Sequence, residues 1–314
     1  MLELIQAGKS VLAAGGLAAT ALLGWCAPPD GGGGPVDPAP VDCGRGGGSL
    51  EAVGLTSAGT LVCFDGEDPS DERLIGSITG LEGETIVGID HRVPFTDAAT
   101  GVSNGVPSGG WLYGLGSNGG VYTLDVEGAD GETVVATKKV QLDQALSGTA
   151  FGVDFNPTVD RLRIVSDTGQ NLRANVDTGV TVVDGALNVG GAPASGVVAA
   201  AYTNNDTDPA TGTTLYDIDA ALDQLVLQSP PNAGGLATIG ALGVDTGSAV
   251  GFDLYSEVSV ADSGVTTTTD VIGWASLDVG GSKGLYSITP FSGRAALVGT
   301  FDVDVVDLSI PLQQ

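Results

Sequence analysis

The constraint that most limits this chain is a short apolar strand that recurs five times. The copies read IVGIDHR (86–92), FGVDFNP (151–157), VAAAYTN (198–204), VGFDLYS (250–256) and VVDLSI (305–310). In each, large apolar residues alternate with small or acidic ones. Phe151, Val153 and Phe155 therefore fall on one face of a strand, with Gly152 and Asp154 on the other. Aligned on positions 90, 154, 201, 253 and 307, the copies lie 64, 47, 52 and 54 residues apart. That period is near the 40–50 residues of a β-propeller blade with insertions.

The residues between the copies fit the same scheme. Three further strand-like runs follow each of the first four, for example WLYGLGS, GVYTLDV and VVATKKVQL after Asp90. Glycine, asparagine, aspartate and proline clusters separate them as turns do. Of the rest of the folded region, only VQLDQALSG could form a helical turn. The N-terminal portion supplies three runs (LEAVGLTS, TLVCFD, RLIGSITGL) and lacks an anchor, whereas the C-terminus ends on an anchor with nothing after it. Joining the two predicts an all-β propeller of five four-stranded blades, closed by the C-terminal strand completing the N-terminal blade. The competing arrangements are six blades or an open β-solenoid.

The organisation predicted is a signal- or lipobox-like segment (1–26), a Gly/Pro-rich linker (27–48) and a propeller domain (49–314). Lys9 precedes the apolar run VLAAGGLAATALLGWC, which has the length of a signal h-region and is short for a membrane span. Leu23-Gly24-Trp25-Cys26 resembles a lipobox with Cys26 as the lipidated residue, although Trp25 stands where a small residue belongs and Glu3 weakens the positive n-region. APPDGGGGPVDPAP after it is a flexible spacer. Of three cysteines, Cys43 and Cys63 remain as a pair, and a disulfide between them would close a loop of about 20 residues, worth roughly 3 kcal/mol in the chain-entropy model. The structural alternative is two buried thiols. Retained, the apolar segment would instead be an anchor or an assembly helix.

A net charge of −27 excludes nucleic acid as a partner, since phosphate backbones require a basic footprint. It suits divalent cations, basic partners or a saline medium.

Gly148–Gly179, together with YGLGSNGGVYTLD, AAAYTNNDTDPATGTTLYDID and DQLVLQSPPNAGGLATIGALGVD, resembles a family of bacterial exported domains catalogued as domain-of-unknown-function family 4394. The resemblance spans about Leu50 to Ile310. It implies an exported β-repeat domain and implies no reaction.

The sharpest candidate site is the set of anchor carboxylates Asp90, Asp154, Asp253 and Asp307, with Ala201 at the fifth position. Near one axis they would either accept backbone N–H groups and pin blade to blade, or bind a hard cation such as Ca²⁺. Asn204, Asp206 and Asp208 alternate as calcium-loop ligands do, but without the downstream glutamate of an EF-hand. Arg161 and Arg163 share a strand face and Arg173 lies on the next strand. Their use is internal pairing with Asp154, Asp160 or Asp167, or recognition of an anionic ligand such as a uronate. His91, the single histidine, forms a polar trio with Asp90 and Arg92 that is a further ligand-binding candidate. One histidine rules out a multi-histidine metal site within the chain.

The function expected is an exported, surface-anchored, non-enzymatic propeller that presents a protein- or glycan-binding surface, with or without a structural Ca²⁺. Its place is the outer membrane or cell surface as a lipoprotein, or the extracellular medium. Its partners are a protein or glycan at the cell surface, or a second copy, and the membrane is met only through the N-terminal lipid or apolar anchor. One alternative is a glycoside hydrolase, which needs only two carboxylates in a deep pocket. The other is a structural subunit of an extracellular assembly built through the N-terminal apolar segment.

Overall fold

The computed structural model describes residues 50–127, 129, 131–204, 212–261 and 266–311. Among them the fold is all-β, with one 3-10 turn at Pro231–Ala233 as the helical exception. The chain opens with β1 (Glu51–Thr56), β2 (Thr60–Asp65) and β3 (Arg73–Thr79), followed by β4 (Ile86–Arg92), β5 (Trp111–Gly116), β6 (Gly120–Asp125) and β7 (Thr133–Gln141). Next come β8 (Phe151–Asn156), β9 (Arg161–Ser166), β10 (Asn171–Ala174), β11 (Thr181–Val183) and the small hairpin β12 (Asn188–Val189) and β13 (Ala192–Pro193). The remainder is β14 (Val197–Tyr202), β15 (Leu215–Asp219), β16 (Gln224–Gln228), β17 (Leu236–Ala241), β18 (Gly251–Val260), β19 (Thr266–Val279), β20 (Ser282–Ile288), β21 (Ala295–Thr300) and β22 (Val305–Ser309).

Within each group of four, consecutive strands pair antiparallel: β4 to β7, β8 to β11, β14 to β17 and β18 to β21. The first group is completed from the far end of the chain, because β22 pairs antiparallel with β1, placing Val53 opposite Ser309 and Gly54 opposite Leu308. The innermost strands are buried along most of their length, and the outermost alternate or lie open, as a sheet edge at the rim should. Residues 140–141 belong to β7 and those up to Gly148 form a loop, so VQLDQALSG has no helical turn.

Each group packs face to face on the next, and a separate apolar core fills each junction. Leu55 and Leu61 meet Ile89, Leu112 and Leu124. Tyr113 and Leu115 meet Phe155, Leu162 and Ile164. Val165 and Leu187 meet Ala200 and Leu215, while Ile218 and Leu225 meet Phe252 and Leu277. The series ends where it began, with Trp274 and Leu285 against Phe64 and Leu308. This cyclic packing gives the chain its propeller-like form.

Glycine sets how closely the innermost strands approach. A Cβ on Gly152 would lie 2.5 Å from the backbone of Ala199 and Ala200, and one on Gly251 would lie 2.5 Å from Cα of Asp307. Such gaps admit no side chain, so the small residues of the repeat are where strands crowd. The outer edges hold one feature the repeat does not predict. β3 and β7 pair in parallel, with Ile78 opposite Val134, joining two groups into an eight-stranded sheet. Gly76 permits this approach, since its Cβ would lie 2.8 Å from Thr133 backbone atoms.

Candidate functional site

Three of the anchor carboxylates come together. One oxygen from each of Asp90, Asp154 and Asp253 lies within 4.8 Å of the others, and all three side chains are buried. The innermost strands place them there by a bond repeated across four of the five junctions. The Phe155 N–H, on the residue after Asp154, donates to Asp90 Oδ2 at 2.7 Å. The Tyr202 backbone, on the residue after Ala201, bonds Asp154. The Ile310 N–H donates to Asp253 Oδ2 at 2.6 Å.

That last bond corrects the alignment. Ile310 follows Ser309, not Asp307, and Ser309 Oγ accepts the His91 N–H at 3.1 Å in the same pattern. The fifth copy therefore contributes Ser309 to the ring. Asp307 lies two residues back on the same strand face, where Gly88, Gly152, Ala199 and Gly251 stand in the other copies. Its Oδ2 accepts the Ile89 N–H at 2.7 Å. Asp307 and Ser309 alternate onto the same strand face, so the local pattern alone does not separate them. Ala201 has no side-chain acceptor, and the Leu254 N–H that it would have met turns to Asp253 Oδ1 at 2.6 Å.

Burial pushes the Asp90 carboxyl up to about 7, only partly opposed by the bonds from Phe155 and Ser309. Burial, then the charge of neighbouring carboxylates, holds Asp154 and Asp253 well above the usual range, and burial does the same to Asp307. Three such groups do not all ionise without a compensating positive charge. The cavity bordered by Asp90, Asp154, Asp253, Tyr202 and Ile310 measures about 20 Å³. That suffices for one water-sized particle and excludes a sugar ring.

His91 joins this cluster indirectly. Ser309 Oγ donates to Asp90 Oδ1 at 3.0 Å and lies 2.8 Å from His91 Nδ1. Burial lowers the imidazole to about 3, so it is neutral. With serine between histidine and aspartate, and Ser309 wholly buried, the order is not that of a nucleophilic triad.

The arginines are largely spent on internal pairs. Arg92, which is 2% exposed, forks onto Asp160 through Nε (2.7 Å) and Nη2 (2.6 Å), and also bonds both oxygens of Asp177 and the Tyr113 hydroxyl. Burial alone would lower its pKa, but these bonds outweigh burial and raise it. Arg163 and Arg173 meet on Asp184 at 2.8 and 2.6 Å, and Arg163 also donates to Asn171, Asn232 and Tyr202. Arg161 stands apart, donating to the carbonyls of Val159 and Asp160. The predicted carboxylate partners thus change. Asp160 serves Arg92, Asp184 replaces Asp154, and Asp167 instead accepts the Thr149 amide and hydroxyl.

Asn204 commits its N–H to Ser256 Oγ and its Oδ1 to the Thr268 hydroxyl, while Asp206 and Asp208 lie outside the described residues. Cys63 is disulfide-bonded. Cys26 and Cys43 lie outside the described residues.

The sequence reading missed a cavity of about 340 Å³ at the end of the β4–β7 sheet, lined by His91, Trp111, Thr123, Asp125, Thr137 and Lys139 among others. Its polar residues come from three different strands, so no short motif marks it.

No curated protein matches the chain. Among solved structures, the glutaminyl cyclase of Myxococcus xanthus shares 14% identity, with 72% of this chain and 89% of that one covered and a TM-score of 0.38. A chain of a nidogen–laminin complex shares 10%, with 85% and 100% covered and a TM-score of 0.44. BamB from Moraxella catarrhalis shares 14%, with 82% and 61% covered and a TM-score of 0.31. Similarity this low says nothing of activity. One family profile, described as a domain of unknown function (DUF4394), matches residues 60–309. The chain belongs to the DUF4394 family.

Proposed function

We propose that the protein is an exported, five-bladed propeller that works as a non-enzymatic binding module, its ring of axial aspartates closed around a single hard cation such as Ca²⁺. The observation carrying this reading is the about 20 Å³ cavity at Asp90, Asp154 and Asp253. Its size suits an ion and not a substrate, which disfavours the ring as a glycosidase centre. The five four-stranded groups, the first completed by β22, support that blade number. In this reading the pinning bonds and the ion cooperate: Asp90, Asp154 and Asp253 are each held by a backbone bond from the next group of strands, and one oxygen of each lies within 4.8 Å of the other two. Export and anchoring through Cys26 rest on the N-terminal sequence alone, and intact mass of the native protein tests them, since a chain beginning at a lipidated Cys26 differs from one that retains Met1.

Native mass spectrometry of protein purified without chelator tests the ring. One divalent ion per chain, lost in D154N, is the expected result. An unchanged stoichiometry in D154N would overturn the assignment. Hydrolysis of chromogenic glycosides that disappears in D90N or D154N would favour the hydrolase instead.

A further inference from the structure

The about 340 Å³ cavity on the second blade is built differently from the ring. Trp111, on β5, is half-buried along its wall. Of the three tryptophans, Trp25 lies outside the described residues and Trp274 is buried in an apolar core, so Trp111 is the one described indole presented to a cavity. The sheet register explains the company it keeps. Tyr113 is opposite Thr123, and Thr123 is opposite Thr137. By alternation Trp111, Thr123, Asp125 and Thr137 share one sheet face, Lys139 stands at the bulge where β7 slips register against β6, and His91, Leu112 and Leu124 border the cavity from the opposite face.

That set has an identifiable chemistry. An indole offers a flat apolar surface to the C–H face of a ring. Threonine hydroxyls both donate and accept, Lys139 donates, and Asp125 and Glu127 accept. Lys139 opposes a simple cationic ligand, and the two carboxylates oppose an anion. Asp125 and Glu127 are already engaged within the chain, so the lining favours a neutral ligand with many hydroxyls and an apolar face over an ion. The volume lies at the small end of the range for small-molecule sites, about 300–1,000 Å³.

We infer that this cavity, centred on Trp111 and the Thr123–Thr137 pair, is a saccharide-binding subsite for one or two neutral sugar rings. The inference rests on the binding-module reading and names its ligand class. It is tested apart from the axial ion, because Trp111 and Lys139 are not among the ring residues and His91, which borders both cavities, is left unchanged.

Titration of the full chain with maltose, cellobiose and diacetylchitobiose, followed by saturation-transfer NMR and calorimetry, tests it. At least one sugar binds, W111A weakens it by about tenfold or more, and K139A, at an exposed position, weakens it measurably. T137V is the second control should W111A fold poorly. Absence of binding below about 10 mM for all three sugars overturns the subsite, as does binding unchanged in K139A and T137V. Tighter binding of tetramethylammonium than of any sugar also overturns it. W111A and K139A keep the ion stoichiometry of the parent, so failure here and failure of the ring assignment are read separately.

Discussion

Asp90 and Phe155 define how neighbouring blades are joined: the carboxylate of Asp90, on one innermost strand, accepts the Phe155 N–H on the next at 2.7 Å, one residue beyond Asp154. The same relation links Ser309 to His91 and Asp253 to Ile310. The ring carboxylates are thus structural acceptors first, and any ion sits among groups the fold already holds in place.

Asp90→Ala should therefore destabilise the domain by about 1–3 kcal/mol, because it leaves the buried Phe155 N–H without its acceptor. Asp90→Asn, which keeps an oxygen in place, should cost less. Urea unfolding of both variants at pH 6 checks the order, and equal losses would argue against the bond as the cause.

Asp217 provides an independent test of burial without a partner. Both its oxygens are buried with no hydrogen-bond partner in the structure, and Gln228 Oε1 is in the same condition. Burial holds the Asp217 carboxyl well above its usual range, with Arg163 opposing. A raised folded pKa contributes stability that is complete below the unfolded value and lost as pH rises through the folded one. Asp217→Asn, permanently neutral and able to donate, should stabilise the protein at pH 8 by about 1 kcal/mol or more and do less at pH 5. Chemical denaturation at the two pH values measures this, and a gain that is equal or larger at pH 5 would contradict it.

The closing strand should be indispensable. Deleting residues 305–314 removes β22, strips β1 of its partner and opens the core around Trp274 and Leu308. Circular dichroism and size-exclusion chromatography should show loss of the cooperative melt or self-association through the bared edge. A monomer with the parent's melting curve would show that closure is dispensable.

The strands and their grouping were legible because a two-residue period and glycine-marked turns are local signals, and because the missing N-terminal anchor matched the surplus C-terminal strand. Asp90, Asp154 and Asp253 were legible for the same reason. Ser309 was not, since Asp307 shares its face and only the bonds of Ile310 to Asp253 and of His91 to Ser309 distinguish the two registers. The Arg92–Asp160–Asp177 cluster and the parallel β3–β7 pairing join residues distant in sequence, and nothing in the local pattern specifies which acid meets which arginine. The Trp111 cavity was missed for that reason too.

The most direct test is thermal melting as a function of pH with and without Ca²⁺. With Asp90 raised to about 7, the folded ring holds protons that the unfolded chain releases near pH ~4. In chelator, stability should be highest at low pH within that window and fall as pH rises through about 7. Ca²⁺ binds the ionised ring, so at pH 8 it should restore several degrees of Tm and at pH 5 much less. D154N should lose the Ca²⁺ response and flatten the pH dependence. Identical melts in Ca²⁺ and chelator at pH 8, or a Ca²⁺ response that survives in D154N, would contradict a cation held by the axial aspartates.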